Sequence, residues 1–228
     1  LSSSSAASDV YKRQARIEGR TTIGRNNHIY HGAAIGLDPQ DLKYEEEETY
    51  VEIGDGNVIR EYATIHLACE EGESTVVENG NLLMAYTHVA HNCRIGSNVV
   101  LANAVNLAGY VTIHDYAIIG GLTPVHQFAS IGAHSFVGGG SRISKDIPPF
   151  IKVAGSPPKV SGTNSTGLKR RGFSFEQRCL IKKAYVILYR SNLNVSQAAE
   201  RIERELPQNP DIKMFVDFIR GSKRGITK

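Results

Sequence analysis

Residues 77–143 read VENGNLLMAYTHVAHNCRIGSNVVLANAVNLAGYVTIHDYAIIGGLTPVHQFASIGAHSFVGGGSRI. Every sixth residue of this stretch is aliphatic: Val77, Leu83, Val89, Ile95, Leu101, Leu107, Ile113, Ile119, Val125, Ile131, Val137 and Ile143. An unbroken period of six matches neither the helical period of about 3.6 nor the alternation of about 2 in an ordinary strand. It is the pattern of a hexapeptide β-helix, in which three short strands make one triangular coil. The aliphatic residue points into the prism, and stacked coils bury a continuous core. Residues about 18 apart thereby become spatial neighbours, so polar side chains can be sorted into columns.

Working outward, the same register starts at Ile17 and runs through Ile23, Ile29 and Ile35. It breaks at residues 37–50, where Glu45 to Glu48 form an acidic run, resumes at Ile53, Ile59 and Ile65, and breaks again at residues 67–75. Such insertions leave a solenoid as surface loops. Ile147-Pro148-Pro149 closes the array, because proline cannot donate to a further ladder. The sequence thus predicts a β-helix over residues 15–149. Residues 150–167, rich in Gly, Pro, Ser and Thr, read as a crossing loop.

A helical domain is expected over 168–228. Ser174 with Gln177 makes a capping box, and Leu180, Ala184, Ile187 and Leu188 form an apolar stripe. Asn194 or Ser196 starts a second helix that ends at Leu206. Asn209-Pro210 starts a third, with Met214, Phe215, Phe218 and Ile219 facing inward and Gly221 as its stop.

Residues 1–14, LSSSSAASDVYKRQ, carry no six-residue register. Asp9 to Gln14 back-translates to the end of a transposon adapter used in sequencing, so a head foreign to the natural protein is the expectation, with a disordered natural tail as the alternative reading. An array that begins only at Ile17 is expected to have an apolar end with no capping coil. Reduced solubility is the expectation, and a cooperatively melting trimer would contradict it.

Composition narrows the classes. Among 228 residues the net charge is +3, too weak to imply nucleic acid. The three cysteines, Cys69, Cys93 and Cys179, are too few and too scattered for a disulfide framework or a zinc motif; Cys93 sits at a small core position. No apolar run reaches membrane-spanning length. The start lacks the basic and apolar regions of a signal peptide, so a cytoplasmic protein is expected.

At 18 residues per coil, His91, Gly109 and Gln127 share one column, and Ala90, Ala108 and His126 share the next. His88 turns the corner beside His91. A histidine can act as general base on a hydroxyl, and a nearby glycine amide can hold an oxyanion. That pairing suits acyl transfer from a thioester to an alcohol. Two other readings stand beside it: inert surface histidines, and a zinc hydratase using His88, His91 and His126 as three imidazole ligands. Lys169-Arg170-Arg171 suits phosphate oxygens or is a solvated basic run. Gln40-Asp41-Leu42-Lys43 lies in the first inserted loop.

These residues carry a resemblance. Pro39-Gln40-Asp41-Leu42-Lys43-Tyr44, Asn81-Leu82-Leu83-Met84 with His88-Val89-Ala90-His91-Asn92-Cys93, Ile118-Ile119-Gly120-Gly121, Val125-His126-Gln127-Phe128, and Gly167-Leu168-Lys169-Arg170-Arg171-Gly172-Phe173-Ser174 closely resemble the acyl-[acyl-carrier-protein]–UDP-N-acetylglucosamine O-acyltransferases of lipid A synthesis. The resemblance covers residues 17–228. It implies a left-handed β-helix, a homotrimer with sites between subunits, an acyl carrier protein as donor, and no metal or other cofactor. By motif position His91 is the base on the glucosamine 3-hydroxyl, and the Gly109 amide is the oxyanion donor. Gln40, Asp41, His88, His126 and Gln127 line the sugar and acyl pocket. Asn164, Arg170 and Arg171 approach the uridine and pyrophosphate, and Gly139 sets the depth of the acyl pocket. Lys182, Lys183, Arg220 and Lys223 would steer the acidic donor. The chain departs from the family pattern at Asn92, commonly aspartate, at Tyr110, commonly histidine, at Thr166, commonly acidic, and at Leu67, commonly arginine. Another hexapeptide acyltransferase, or an inactive homologue, are the further readings.

Overall fold

The structure is a computed structural model that describes residues 14–228. The expected head lies outside the described residues except for Gln14, whose carbonyl already accepts the Gly32 N–H at 2.8 Å.

Three parallel ladders form the faces of a prism. Face A holds β1 (Arg16–Ile17), β4 (Ala34–Leu37), β7 (Thr64–His66), β10 (His88–Val89), β13 (Asn106–Leu107) and β16 (Pro124–Val125). Face B holds β2 (Arg20–Ile23), β5 (Tyr50–Ile53), β8 (Ser74–Val77), β11 (Arg94–Ile95), β14 (Thr112–Ile113) and β17 (Ser130–Ile131). Face C holds β3 (His28–Ile29), β6 (Val58–Ile59), β9 (Leu82–Leu83), β12 (Val100–Leu101), β15 (Ile118–Ile119) and β18 (Phe136–Val137). Register follows the predicted coil: His88 faces Asn106, Arg94 faces Thr112 and Val100 faces Ile118.

The aliphatic residues from Val77 to Ile143 that set the period are each no more than 2% exposed. A second inward row two residues before them fills the corners. It consists of Cys93, Val99, Val105, Val111, Ala117, Thr123, Ala129 and Ser135, all small and buried. Corners turn by one residue in the left-handed region. Tyr86, Asn92, Asn98, Ala104, Tyr110, Tyr116, Leu122, Phe128 and His134 have φ between 56 and 64°. That conformation costs a non-glycine residue on the order of 1 kcal/mol or more. Burial of the strand residues on either side, at roughly 25 cal/mol per Å² of apolar surface, offsets it.

Both insertions leave the same edge. Residues 38–49 join β4 to β5, and residues 67–73 join β7 to β8, so each rises from the A–B corner one or two coils before His91.

The stretch expected as a crossing loop carries structure. β19 (Ile151–Ala154) continues face C, and β20 (Lys159–Thr163) returns antiparallel to it. Ile151 and Val153 point inward while Lys152 and Ala154 are exposed, an alternation too short to stand out among glycines and prolines. α1 (Ser165–Arg170) also begins before the expected boundary. α2 (Phe175–Arg190) starts with the Ser174–Gln177 capping box. α3 (Val195–Glu205) has a second box, Asn194 with Gln197, and α4 (Pro210–Gly221) has Asn209 as cap. Gly221 is the last helical residue rather than the stop. Met214 is 41% exposed, so the inward face is Ile212, Phe215, Val216 and Ile219. The tail docks on the array, where Thr227 N–H donates to the Asp146 carbonyl at 2.8 Å and Ser222 Oγ to Asp146 Oδ2 at 2.6 Å.

Candidate active site

His91 sits at the A–B corner between β10 and β11 and is 8% exposed. Its carbonyl accepts the Tyr110 N–H at 3.0 Å, and the Gly109 carbonyl accepts the Phe128 N–H at 3.2 Å. The expected column of His91, Gly109 and Gln127 is therefore present. The imidazole lies flush on Gly109: a Cβ there would stand 2.4 Å from both Cε1 and Nε2. The Gly109 N–H donates to no acceptor among the described residues.

The two inserted loops close over this corner. From the first, Asp41 brings Oδ2 to 3.8 Å from His91 Nε2, while its Oδ1 accepts the Lys43 N–H at 3.0 Å. From the second come Cys69, Glu70 and Glu73. Asn92 links them to the ring: its Oδ1 accepts from His91 Nδ1 at 2.9 Å and from the Cys69 N–H at 3.0 Å. Its Nδ2 donates to Glu70 Oε2 at 2.8 Å and to Glu73. Tyr110 packs edge-on to His91 with centroids 5.2 Å apart and donates its hydroxyl to Glu70.

Behind His91 stand two more imidazoles. His66 and His88 meet edge to face at 5.0 Å, and His88 Nδ1 lies 2.7 Å from Thr64 Oγ1. Burial, then the adjacent His66 and His91, pushes His88 down to about 4. Burial, then His91, also lowers His66. Both are neutral at physiological pH, so the wall behind His91 carries no charge. Burial, with Asp41 and Glu70 adding repulsion, raises the Cys69 thiol to about 12, which keeps it protonated.

His66, Cys69, Glu70 and Glu73 carry no sequence signal of their own, since the insertions that hold or adjoin them fall outside the period. Gln40 is exposed beside Asp41. His126 is exposed one coil above Ala108, its Nδ1 donating to the Gln127 carbonyl at 3.1 Å. The zinc trio His88, His91 and His126 does not assemble. Among the described residues the metal-capable atoms that gather are those of Asp41, Cys69 and His91, within 4.8 Å of one another. A cation there would occupy the atoms that face Gly109.

The remaining expected residues lie on other edges. Asn164 caps α1 through the Gly167 N–H at 3.2 Å and donates to the His134 carbonyl at 2.9 Å, on the B–C corner. Arg171 stacks over Tyr116 at 5.2 Å and reaches His134 Nδ1 at 3.5 Å, while Arg170 is exposed. Gly139 is on the C–A corner, where a Cβ would meet the Gly121 carbonyl at 3.1 Å. Of the basic residues expected to meet a donor, Lys182, Lys183 and Lys223 are exposed, whereas Arg220 is paired with Glu203 at 2.5 Å.

Residues 146–227 match the family described as UDP N-acetylglucosamine O-acyltransferase, domain 2, and residues 74–109 match the bacterial transferase hexapeptide repeat. The chain is 44% identical over 212 residues to the acyl-[acyl-carrier-protein]–UDP-N-acetylglucosamine O-acyltransferase of Stutzerimonas stutzeri, covering 92% of this chain and 82% of that protein. It is 47% identical over 206 residues to the Nautilia profundicola protein of the same name, covering 90% and 79%. Among solved structures it is similar to the UDP-N-acetylglucosamine acyltransferase of Bacteroides fragilis, with TM-score 0.90 and 45% identity over 93% of this chain and 83% of that one. The Arabidopsis enzyme of that name gives TM-score 0.87 at 36% identity, covering 93% and 77%.

Proposed function

The chain belongs to the acyl-[acyl-carrier-protein]–UDP-N-acetylglucosamine O-acyltransferases, and we propose that His91 is the base with which it works. It is a left-handed parallel β-helix with a helical C-terminal domain, and it transfers an acyl group from acyl carrier protein to UDP-N-acetylglucosamine in lipid A biosynthesis.

The contact of His91 with Gly109 carries the assignment of roles. Nδ1 is engaged by Asn92, so Nε2 is the nitrogen left to meet a substrate. It takes the proton of the sugar 3-hydroxyl as that oxygen attacks the thioester carbonyl. The C–O bond forms, the carbonyl electrons move onto oxygen, and the Gly109 N–H donates to that oxyanion. Collapse breaks the C–S bond. The imidazolium then returns its proton to the leaving thiolate, and base and carrier thiol are restored. Asp41, with an oxygen near Nε2, orients the sugar and stabilises the imidazolium. Gln40, His88, His126 and Gln127 line the pocket, Arg170, Arg171 and Asn164 hold the nucleotide, and Gly139 leaves room for the end of the acyl chain. No metal takes part, so chelator-treated enzyme keeps its activity.

The functional unit is a homotrimer. One prism side is six residues long, on the order of 20 Å at about 3.3 Å per residue. A single chain therefore keeps His91, Arg171 and Gly139 on three separate edges, and only neighbouring copies bring such edges face to face. Residues 15–149 supply the acyl-transfer edge, and the helical domain from residue 168 meets the carrier. The reaction takes place in the cytoplasm. None of the helices among the described residues is long and apolar enough to cross a membrane, and both substrates are water-soluble.

The test is an assay of wild type and His91→Ala with UDP-N-acetylglucosamine and acyl carrier proteins of several chain lengths. Loss of the base should cost on the order of 10²–10⁴-fold in kcat. Equal rates in the two chains would remove His91 from the mechanism.

A further inference from the structure

We infer that Glu70 and Glu73 are positioning residues that decide, through the Asn92 amide, which nitrogen of His91 serves as base; the inference rests on the acyl-transfer reading of that histidine.

An asparagine amide has a donor end and an acceptor end of nearly the same shape, and its neighbours decide which end faces which way. Ionised carboxylates only accept. Glu70 and Glu73 both face Asn92 Nδ2, so the NH₂ group is held toward the loop. The Cys69 N–H on Oδ1 adds one neutral bond in the same sense, weaker than the two charge-assisted ones. Oδ1 is thereby turned to His91 at 2.9 Å. An amide oxygen cannot donate, so Nδ1 carries the proton and Nε2 the lone pair. Nε2 is one of the two ring atoms that crowd Gly109 and is the atom nearest Asp41.

The network is anchored at Asn92 and at Glu70, while both carboxylates reach it from exposed positions. Asn92 is 7% exposed with φ 57°, and its own N–H donates to Thr75 Oγ1 at 2.8 Å. Tyr110 donates to Glu70 and packs on the His91 ring, so the same carboxylate braces the imidazole from two directions. Hydrogen bonds in a chain polarise one another, here between exposed carboxylates and a buried amide. The neutral amide therefore passes part of the negative charge of the two carboxylates to the Nδ1–H, and that charge favours the imidazolium formed during transfer.

The arrangement also requires position 92 to be neutral. A carboxylate there would face two others, and among the described residues no lysine or arginine is hydrogen-bonded into the network to separate them. Charge at 92 and charge at 70 and 73 are thus alternatives, and this gives a test that a merely structural role would not pass.

Glu70→Gln/Glu73→Gln should lose about ten- to a hundredfold in kcat, as when groups orienting metal-bound imidazoles are removed, with KM for UDP-N-acetylglucosamine little changed. Asn92→Asp alone should also lower kcat. Added to the double variant, the same Asn92→Asp should raise kcat back toward wild type. With ¹⁵N-labelled histidines, wild type should show His91, assigned by its loss in His91→Ala, protonated on Nδ1. Glu70→Ala/Glu73→Ala should shift that signal toward mixed tautomers, and this readout needs no turnover from a weakened variant. Wild-type kcat in the glutamine pair, the same effect of Asn92→Asp in both backgrounds, or an unmoved tautomer would each overturn the inference. If His91→Ala instead matches wild type, the failure lies in the assignment of the base.

Discussion

At position 109 the chain has room for a backbone and nothing more. Gly109 has an ordinary negative φ, so alanine could adopt its conformation. The obstacle is the imidazole, 2.4 Å from where the Cβ would be. Gly109→Ala should fold with near wild-type melting and lose about a hundredfold in kcat, the cost of misplacing a reacting group by about 1 Å. Rates and thermal melts on the same preparation check this; a parallel loss of folding would contradict it. His91 and Gly109 were legible in the sequence because the six-residue period turns spacing into adjacency. Asn92 was legible as a departure from the family pattern. Its compensation by Glu70 and Glu73 was not, because those residues lie in an insertion whose path no repeat dictates.

Among the elements, the B–C corner couples packing to pH. His134 stacks on Tyr116 at 4.8 Å and on Phe150 at 5.7 Å, and Phe173 meets its edge at 5.0 Å. Burial, then the nearby Arg171, pushes this histidine down to about 4. An unfolded histidine titrates near 6.5, so between these values the unfolded chain binds the extra proton. The stabilisation is therefore complete above about pH 6.5 and is lost progressively as pH falls toward 4; His88 acts in the same direction. Thermal melts should show Tm dropping across this window, and His134→Phe should reduce the drop. An unchanged slope would show that the stack does not carry the effect. The helix caps were readable because Ser174, Asn194 and Asn209 hydrogen-bond within four residues of themselves. The β19–β20 hairpin was not, because its two inward residues, Ile151 and Val153, acquire meaning only against the face they extend.

For the whole molecule, the solenoid was almost fully predictable and the assembled site was not. A repeat fixes its own stacking, but it does not say which edge meets a neighbour. On the trimer reading, chains carrying His91→Ala co-expressed with chains carrying Arg171→Ala should recover activity that neither has alone. Mixed trimers would contain interfaces with one intact edge from each copy. Light scattering on the co-purified protein gives the assembly size, and an assay gives the recovery. A monomer, or mixed assemblies with no recovered rate, would show that each chain works by itself.

Both loops that reach His91 leave face A and re-enter at face B, and the strands beyond them, β5 and β8, pair in regular register. The ladder takes up the extra residues with a register shift after Ile35 at the root of the first loop and regains regular pairing at β5 and β8. Residues 38–49 and 67–73 are tied to each other, the Gly72 N–H donating to the Glu48 carbonyl at 2.9 Å, and to the core through Leu67 and Ala68, so they would have to be moved to another hexapeptide prism as a pair, together with those buried residues.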